Sequence, residues 1–228
     1  MWPGLAGLLP KDHVNSPADY VLATIDHSGT IVLVSGMPRA KEFDEAEVLD
    51  QALEMFRTRG FKHTSFDDLT DGLGVSRQSL YDTYGDKNAL YHAALKRYLD
   101  RSLDQMGRKL AAPAPIRKVL GGFFEAMLAG VCSKGSPGCP MVNSMVEQAP
   151  HEADIRALAQ THARSVQDLF EARLAAARRK GEISRSKDPA ALARFFYHTM
   201  LGFGVATRAL GDPEPIRSSI RIALQALD

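Results

Sequence analysis

Ser65-Phe66-Asp67-Asp68-Leu69-Thr70-Asp71-Gly72-Leu73-Gly74-Val75-Ser76-Arg77-Gln78-Ser79-Leu80-Tyr81 spells two helices of about two turns each, joined by a tight turn. Ser65 or Thr64 is placed to cap the first, which runs to about Gly72, and the Ser76 hydroxyl to cap the second, which runs to about Thr83. Short helices that cross sharply need a small residue where the backbones approach, a left-handed residue in the turn, and apolar residues that knit the pair. Thr70, Gly74 and the set Leu69, Leu73, Val75 and Leu80 meet those demands in order. The second helix then packs through Leu80 and Tyr84 and turns Arg77, Gln78, Tyr81 and Asp82 outward. This is a helix-turn-helix whose second helix fits a major groove. Its first turn, headed by Ser76, aims backbone N–H groups and a positive dipole end at a phosphate.

Outward from this stretch the sequence stays helical. A helix from about Asp44 to Arg59 carries Val48, Leu49, Ala52, Leu53 and Phe56 on one face and stops at Gly60. A longer one runs from near Asp86 to about Leu110, where Ala111-Ala112-Pro113-Ala114-Pro115 ends it. Segments at 116–131, 139–148, 151–180, 189–210 and 213–227 complete an all-α C-terminal part. Residues 1–36 differ: Tyr20 to Ile25 and Thr30 to Val34 are β-branched runs around His27-Ser28-Gly29, a weak hairpin signal. Such a hairpin is marginal alone, so residues 1–36 read as an N-terminal extension, either an accessory arm or, the favoured reading, a non-native or poorly ordered stretch upstream of the true start. Met37 is the expected first residue, and Met37-Pro38-Arg39-Ala40-Lys41 a short basic arm.

The 228 residues are 45% apolar, ample for a core, and 28 Lys and Arg against 27 Asp and Glu leave a net charge of +1. No chain-wide basic field exists, so a nucleic-acid partner must be met by a local patch. Two cysteines, Cys132 and Cys139, are too few for a stapled secreted scaffold. No run approaches a membrane span, and the Met1 to Pro10 stretch lacks the basic start of a signal peptide. A cytoplasmic protein is expected.

Thr64, Leu69, Leu73-Gly74-Val75-Ser76, Leu80-Tyr81, Tyr84, Lys87 and Leu90 resemble the DNA-binding module of the TetR family of bacterial transcription regulators, over about Asp44 to Leu95. The resemblance implies an all-α dimer: a three-helix, helix-turn-helix DNA-binding domain (residues 37–90), and a helical ligand-binding and dimerisation domain (residues 91–228). It implies that Arg77, Gln78 and Tyr81 meet base edges, while Thr64, Ser65, Ser79, Tyr81, Thr83 and Lys87 hold phosphates. The chemistry agrees. Arg77 pairs bidentately with guanine and Gln78 with adenine, at about 1 to 3 kcal/mol of discrimination each. Hydroxyls and an ammonium fix register without reading sequence.

From Met37 to Leu90 seven basic residues face eleven acids, a net charge of −4. That is awkward for a DNA-binding module, because counterion release from phosphate contacts normally drives affinity. Segregation resolves it: Glu45, Glu47, Asp50 and Glu54 occupy the outer face of the first helix, and Asp67 and Asp68 serve the dipole of their own helix. A modest affinity with a shallow salt slope is expected.

In the C-terminal part aromatic rings and thioethers concentrate. Phe123, Met127, Met141, Met145, Phe170, Phe196 and Met200 are the candidate lining of an adaptable pocket for a small, mostly apolar effector. Asn143, Gln148, His162, Tyr197 and His198 are candidates to orient it. Cys132 and Cys139 flank a flexible loop, and Cys139 sits at a helix N-terminus, which suits a reactive thiol; the alternative is two small packed residues. No cofactor is expected, and no metal, since two thiols without a neighbouring His do not complete a tetrahedral site. Phe195, Phe196, Thr199, Gly202, Phe203 and Ala206, with Ile216, Ile220, Ala223, Leu224 and Leu227, are expected to build a homodimer through the last two helices. Two recognition helices imply a palindromic double-stranded operator. The function expected is a ligand-released repressor and not an enzyme; the alternative is a thiol-based redox or electrophile-handling protein using Cys132 and Cys139. Against that alternative, no Cys-x-x-Cys and no βαβ pattern occurs.

Overall fold

Asp44 opens the helical part by accepting hydrogen bonds from Ala46 N at 2.7 Å and Glu47 N at 3.3 Å, which caps α1 (Glu45–Arg59). The computed structural model describes residues 22–25, 31–34, 43–131, 138–210 and 212–228. After α1 come α2 (Phe66–Leu73), α3 (Arg77–Tyr84) and α4 (Lys87–Leu110). Then follow α5 (Ile116–Val131), α6 (Pro140–Glu147), α7 (Ala153–Arg179), α8 (Pro189–Leu210) and α9 (Glu214–Ala223), which tightens into a 3-10 turn over Leu224–Leu227. The all-α expectation holds for Asp44–Asp228, which forms one compact unit. The unit ending at Phe43 contains β1 (Leu22–Ile25) and β2 (Ile31–Val34), paired antiparallel with Leu22 opposite Val34 and Ile25 opposite Ile31. Met37 and the basic arm of Arg39 and Lys41 lie outside the described residues.

Observed helix limits fall within about two residues of the expected ones, because the caps are local chemistry. The start of α7 is the instructive shift. Arg156 donates to the carbonyls of Ala149 (2.9 Å) and Pro150 (3.0 Å), holding the chain ahead of Ala153 as a turn and delaying the helix. The Pro-rich link between α4 and α5 is fixed from elsewhere in the chain. Arg173 of α7 donates to Leu110 O (3.0 Å) and Ala114 O (2.6 Å), while Glu182 accepts from Ile116 N at 2.6 Å and so caps α5.

Two apolar clusters hold the unit. Phe56, Phe61 and Tyr91 stack ring on ring between α1 and α4, with centroids 4.9 to 5.6 Å apart. The larger core joins α5, α7 and α8 through Phe124, Phe170 and Phe196, all fully buried. Helix α4 belongs to both: it buries Leu90, Tyr91 and Leu95 at one end and Met106 and Leu110 at the other, running uninterrupted through position 90.

Candidate nucleic-acid interface and effector cavity

The α2–α3 unit is built as its sequence demands. The Ser65 hydroxyl accepts from Asp68 N (3.0 Å) and the Asp68 carboxylate accepts from Ser65 N (2.8 Å), a reciprocal capping box. Gly74 turns the chain at φ +64°, the left-handed region, and Ser76 caps α3 by accepting from Ser79 N at 3.1 Å. Gly72 backs onto α1, where a side chain would meet the Met55 tip, and the Thr70 hydroxyl donates to Asp67 O at 2.8 Å. Leu69 and Leu80 are fully enclosed. Tyr84 packs inward, and burial, with Glu45 adding, pushes its hydroxyl up to about 12.

Arg77, Gln78, Tyr81 and Asp82 lie together on the exposed face of α3, as expected. Tyr81 is 49% exposed, its ring 5.0 Å from that of Phe66, so it both packs and faces solvent. The Arg77 guanidinium lies 5.4 Å above the same Phe66 ring and is paired with Asp67. Gln78 Nε2 donates to Asp82 at 2.7 Å. Ser65 and Ser76 hydroxyls are engaged in their caps, and Ser76 Oγ also donates to Ser79 Oγ at 2.8 Å. Thr83 is half-buried. Thr64 departs from expectation: it is fully buried and its hydroxyl donates to Gly60 O at 2.8 Å, so its side chain is structural and meets no phosphate. Lys87 donates to Phe61 O (3.1 Å) and Thr64 O (3.0 Å) and sits 4.4 Å above the Phe61 ring, tying the α1–α2 loop to α4. Phe66, the platform under Arg77 and Tyr81, was not singled out from sequence; its place at the first position of α2, four residues before Thr70, looks like ordinary packing.

The acids of this region sit largely in pairs. Asp50 holds Arg97 (3.1 Å) and Arg101 (2.6 Å) of α4. Burial raises its carboxyl, but the hydrogen bonds and charges of these arginines outweigh that and leave it below the usual range. Asp68 is likewise held low, first by the Ser65 hydroxyl, then by the Ser65 N–H, with Arg59 at 3.2 Å. Asp67 does more than complement its helix dipole, since it occupies Arg77.

A cavity of about 410 Å³ opens between α4, α5, α6, α7 and α8. Phe123, Met127, Met141 and Met200 line it as expected. Met145, Phe170 and Phe196 do not: the two rings are fully buried against each other and against Phe123 and Phe124, and Met145 packs on the core. Of the expected orienting groups, His162 and Tyr197 line the cavity; Asn143 and Gln148 lie elsewhere, the latter accepting from Tyr91 at 3.4 Å, and His198 is exposed. Sequence reasoning missed Arg57, Tyr98, Gln105 and Lys109. Arg57 comes from α1, Nη1 on Glu54 (2.8 Å) and Nη2 donating to Gly138 O (2.9 Å). Among the described residues, Arg57 Nε, His162 Nδ1 and the Tyr197 hydroxyl are enclosed without a hydrogen-bond partner. Burial raises the Tyr98 and Tyr197 hydroxyls, with Cys139 beside both adding to it, and burial lowers His162 despite the Asp100 charge. Cys139 is a free thiol at the N-cap of α6; Cys132 lies outside the described residues.

The outer face of α8 and α9 presents Phe195 (42% exposed) and Ile222 (62% exposed) at a shallow depression that Phe203 and Ala223 also border; Val205 of α8 is exposed as well. Phe196, Ile216, Ile220 and Leu227 turn inward instead, because α9 spends its apolar stripe on the core of its own chain. No helix among the described residues is long and apolar enough to cross a membrane.

Comparison with known proteins places these features. Residues 48–94 match the family described as bacterial regulatory proteins, tetR family, and residues 116–223 match the tetracyclin repressor-like C-terminal domain. The HTH-type transcriptional regulator YezE of Bacillus subtilis is 32% identical over 84% of this chain and all of its own. The HTH-type transcriptional repressor ComR of Escherichia coli is 31% identical over 75% of this chain and 82% of its own. Among solved structures, a cysteine mutant of the TetR family regulator CifR, complexed with 26-bp operator DNA, aligns over 85% of this chain and 100% of its own, with TM-score 0.72 and 25% identity. Reduced NemR of E. coli shares the fold, with TM-score 0.73 and 20% identity over 81% and 98%. The chain belongs to the TetR family of bacterial transcriptional regulators.

Proposed function

We propose that the chain is a cytoplasmic repressor that binds a palindromic double-stranded DNA operator as a homodimer and leaves it when a small, mostly apolar effector fills the α4–α8 cavity. The observation that carries this reading is the outer face of α3, where Arg77, Gln78, Tyr81 and Asp82 stand exposed and uncovered by the C-terminal helices. Arg77 and Gln78 read base edges once they leave Asp67 and Asp82. Tyr81, Ser79, Thr83, the capped helix ends at Ser65 and Ser76, and the third N–H of Lys87 hold phosphates. The exposed α8–α9 face supports pairing about a twofold axis. Relatives named as repressors, ComR and BdcR of E. coli, support the direction of control.

Effector binding acts by population shift: it favours a state in which the paired recognition helices are wrongly spaced. The protein works by binding and not by turnover, and the thiol-based alternative is set aside because both matched segments are those of regulators. A mobility-shift titration with the upstream intergenic DNA tests the reading. The wild type should bind it, Arg77→Ala should relax base preference, and absence of binding would refute the proposal.

A further inference from the structure

We infer that the effector is an organic carboxylate with an apolar body, and that Arg57 binds it while releasing Gly138; the inference rests on the regulator reading above. The cavity wall is mostly apolar, with Leu99, Phe123, Met127 and Met141 among its members. Its charged lining is one-sided: Arg57 and, at the exposed rim, Lys109 contribute cations, and among the described residues no Asp or Glu lines it, Glu54 reaching only the Nη1 side of Arg57. A partly open cleft lined by two cations and no acid favours an anion, and the apolar wall requires the remainder of that anion to be hydrophobic.

The polar atoms specify the head group. Tyr197 is only 3% exposed, and its hydroxyl has no partner among the described residues; Arg57 Nε is in the same condition. Enclosed donors left unsatisfied are costly and mark a place where something else completes the set. Nε and Nη2 form one edge of the guanidinium, the edge that grips a carboxylate with two parallel bonds. Nη2 now donates to Gly138 O at 2.9 Å. A carboxylate on that edge, with one oxygen also accepting from Tyr197, replaces a neutral carbonyl by a charged acceptor, and such bonds are about twice as strong.

Among the described residues, Arg57 is also the one cavity-lining residue that comes from α1 to α3. Its bond to Gly138 ties α1 to the chain entering α6, and Gly138 holds a left-handed φ of +84° beside Cys139. Exchange of Gly138 for a ligand carboxylate removes that tie, which gives the ligand a differential interaction with the two states of the protein.

Calorimetry on the full chain, with hexanoate, octanoate, decanoate and dodecanoate each against its matching alcohol, tests the assignment. At least one acid should bind about tenfold more tightly than its alcohol. Arg57→Gln should abolish that preference, and Tyr197→Phe, which removes one hydroxyl without opening space, should reduce it severalfold. Equal binding of every acid and alcohol, no binding of any acid, or an undiminished preference in both variants overturns the inference. Fluorescence anisotropy with upstream DNA then reads the coupling: the bound acid should weaken wild-type binding at least tenfold, whereas Arg57→Gln, whatever its own affinity, should shift less than twofold. Wild-type DNA affinity unchanged by a bound acid overturns the coupling. If the wild type binds no upstream DNA at all, the regulator reading fails while the calorimetric result stands by itself.

Discussion

Asp67→Asn should tighten operator binding. In the free protein Arg77 is paired with Asp67, and the side chains are 57% and 76% exposed, so the pair contributes at most about 1 kcal/mol. Arg77 must leave that pair to reach a guanine, and Asp67 then stands beside the phosphates as a like charge. Removing the carboxylate eliminates both costs in each protomer; the ion pair alone accounts for at most about 2 kcal/mol in a dimer, or up to about thirtyfold in Kd, and relief of the phosphate repulsion adds in the same direction. Asp67 also lies in the first turn of α2, so its loss removes about 0.3 to 1 kcal/mol of helix-dipole stabilisation. That affects folding and leaves the affinity argument intact. Anisotropy titrations at several salt concentrations would read both the gain and its origin. If the freed Arg77 takes a base edge, the salt slope stays constant; if it takes a phosphate, the slope steepens by about 0.9 per contact. Asp104→Asn, the same charge change on an exposed position of α4, is the control. Affinity within twofold of wild type, or an equal gain from Asp104→Asn, would refute the masking argument.

Tyr197→Phe should raise the melting temperature of the ligand-free protein, since it deletes an enclosed hydroxyl that lacks a partner among the described residues; about 1 kcal/mol is at stake, or roughly 2 to 4 °C at this size. Gly74→Ala places a side chain at φ +64° and should cost about 1 to 2 kcal/mol in urea unfolding, with Gly74→Asn costing less; equal stabilities of all three proteins would contradict the left-handed turn. The carboxyl of Asp68 is held below its ordinary 3.8, so its stabilising contribution is complete above that value and is lost as pH falls through the lower folded value. The melting-temperature gap between wild type and Ser65→Ala should therefore be full at pH 6 and shrink below about pH 4; a gap independent of pH would sever the Ser65–Asp68 link.

The helix-turn-helix was legible because its determinants are neighbours in sequence. Asp44, Ser65, Ser76 and Asp86 each cap a helix within three residues of themselves, and Gly74 turns where the pattern required it. The phosphate set was less legible, because hydroxyl and ammonium groups are claimed by distant carbonyls that local reading does not see. Thr64 is spent on Gly60, and two of the Lys87 donors on Phe61 and Thr64. In the C-terminal part, periodicity identifies inward positions but cannot say which of them leave space. Phe123 and Phe170 are 47 residues apart in sequence yet 5.4 Å apart in space, and only the first borders the cavity. Arg57 was invisible for the same reason, since its role depends on Gly138, 81 residues away.

The unbroken α4 has a mechanical consequence. Its 24 residues form a rod of about 36 Å, rooted in the cavity wall at Met106 and carrying Lys87 at the far end. A lean of only about 5° over that length sweeps the far end by about 3 Å, close to the 3.4 Å step between stacked bases. An event too slight to disturb the core is thus magnified into a misfit of one rung on the duplex.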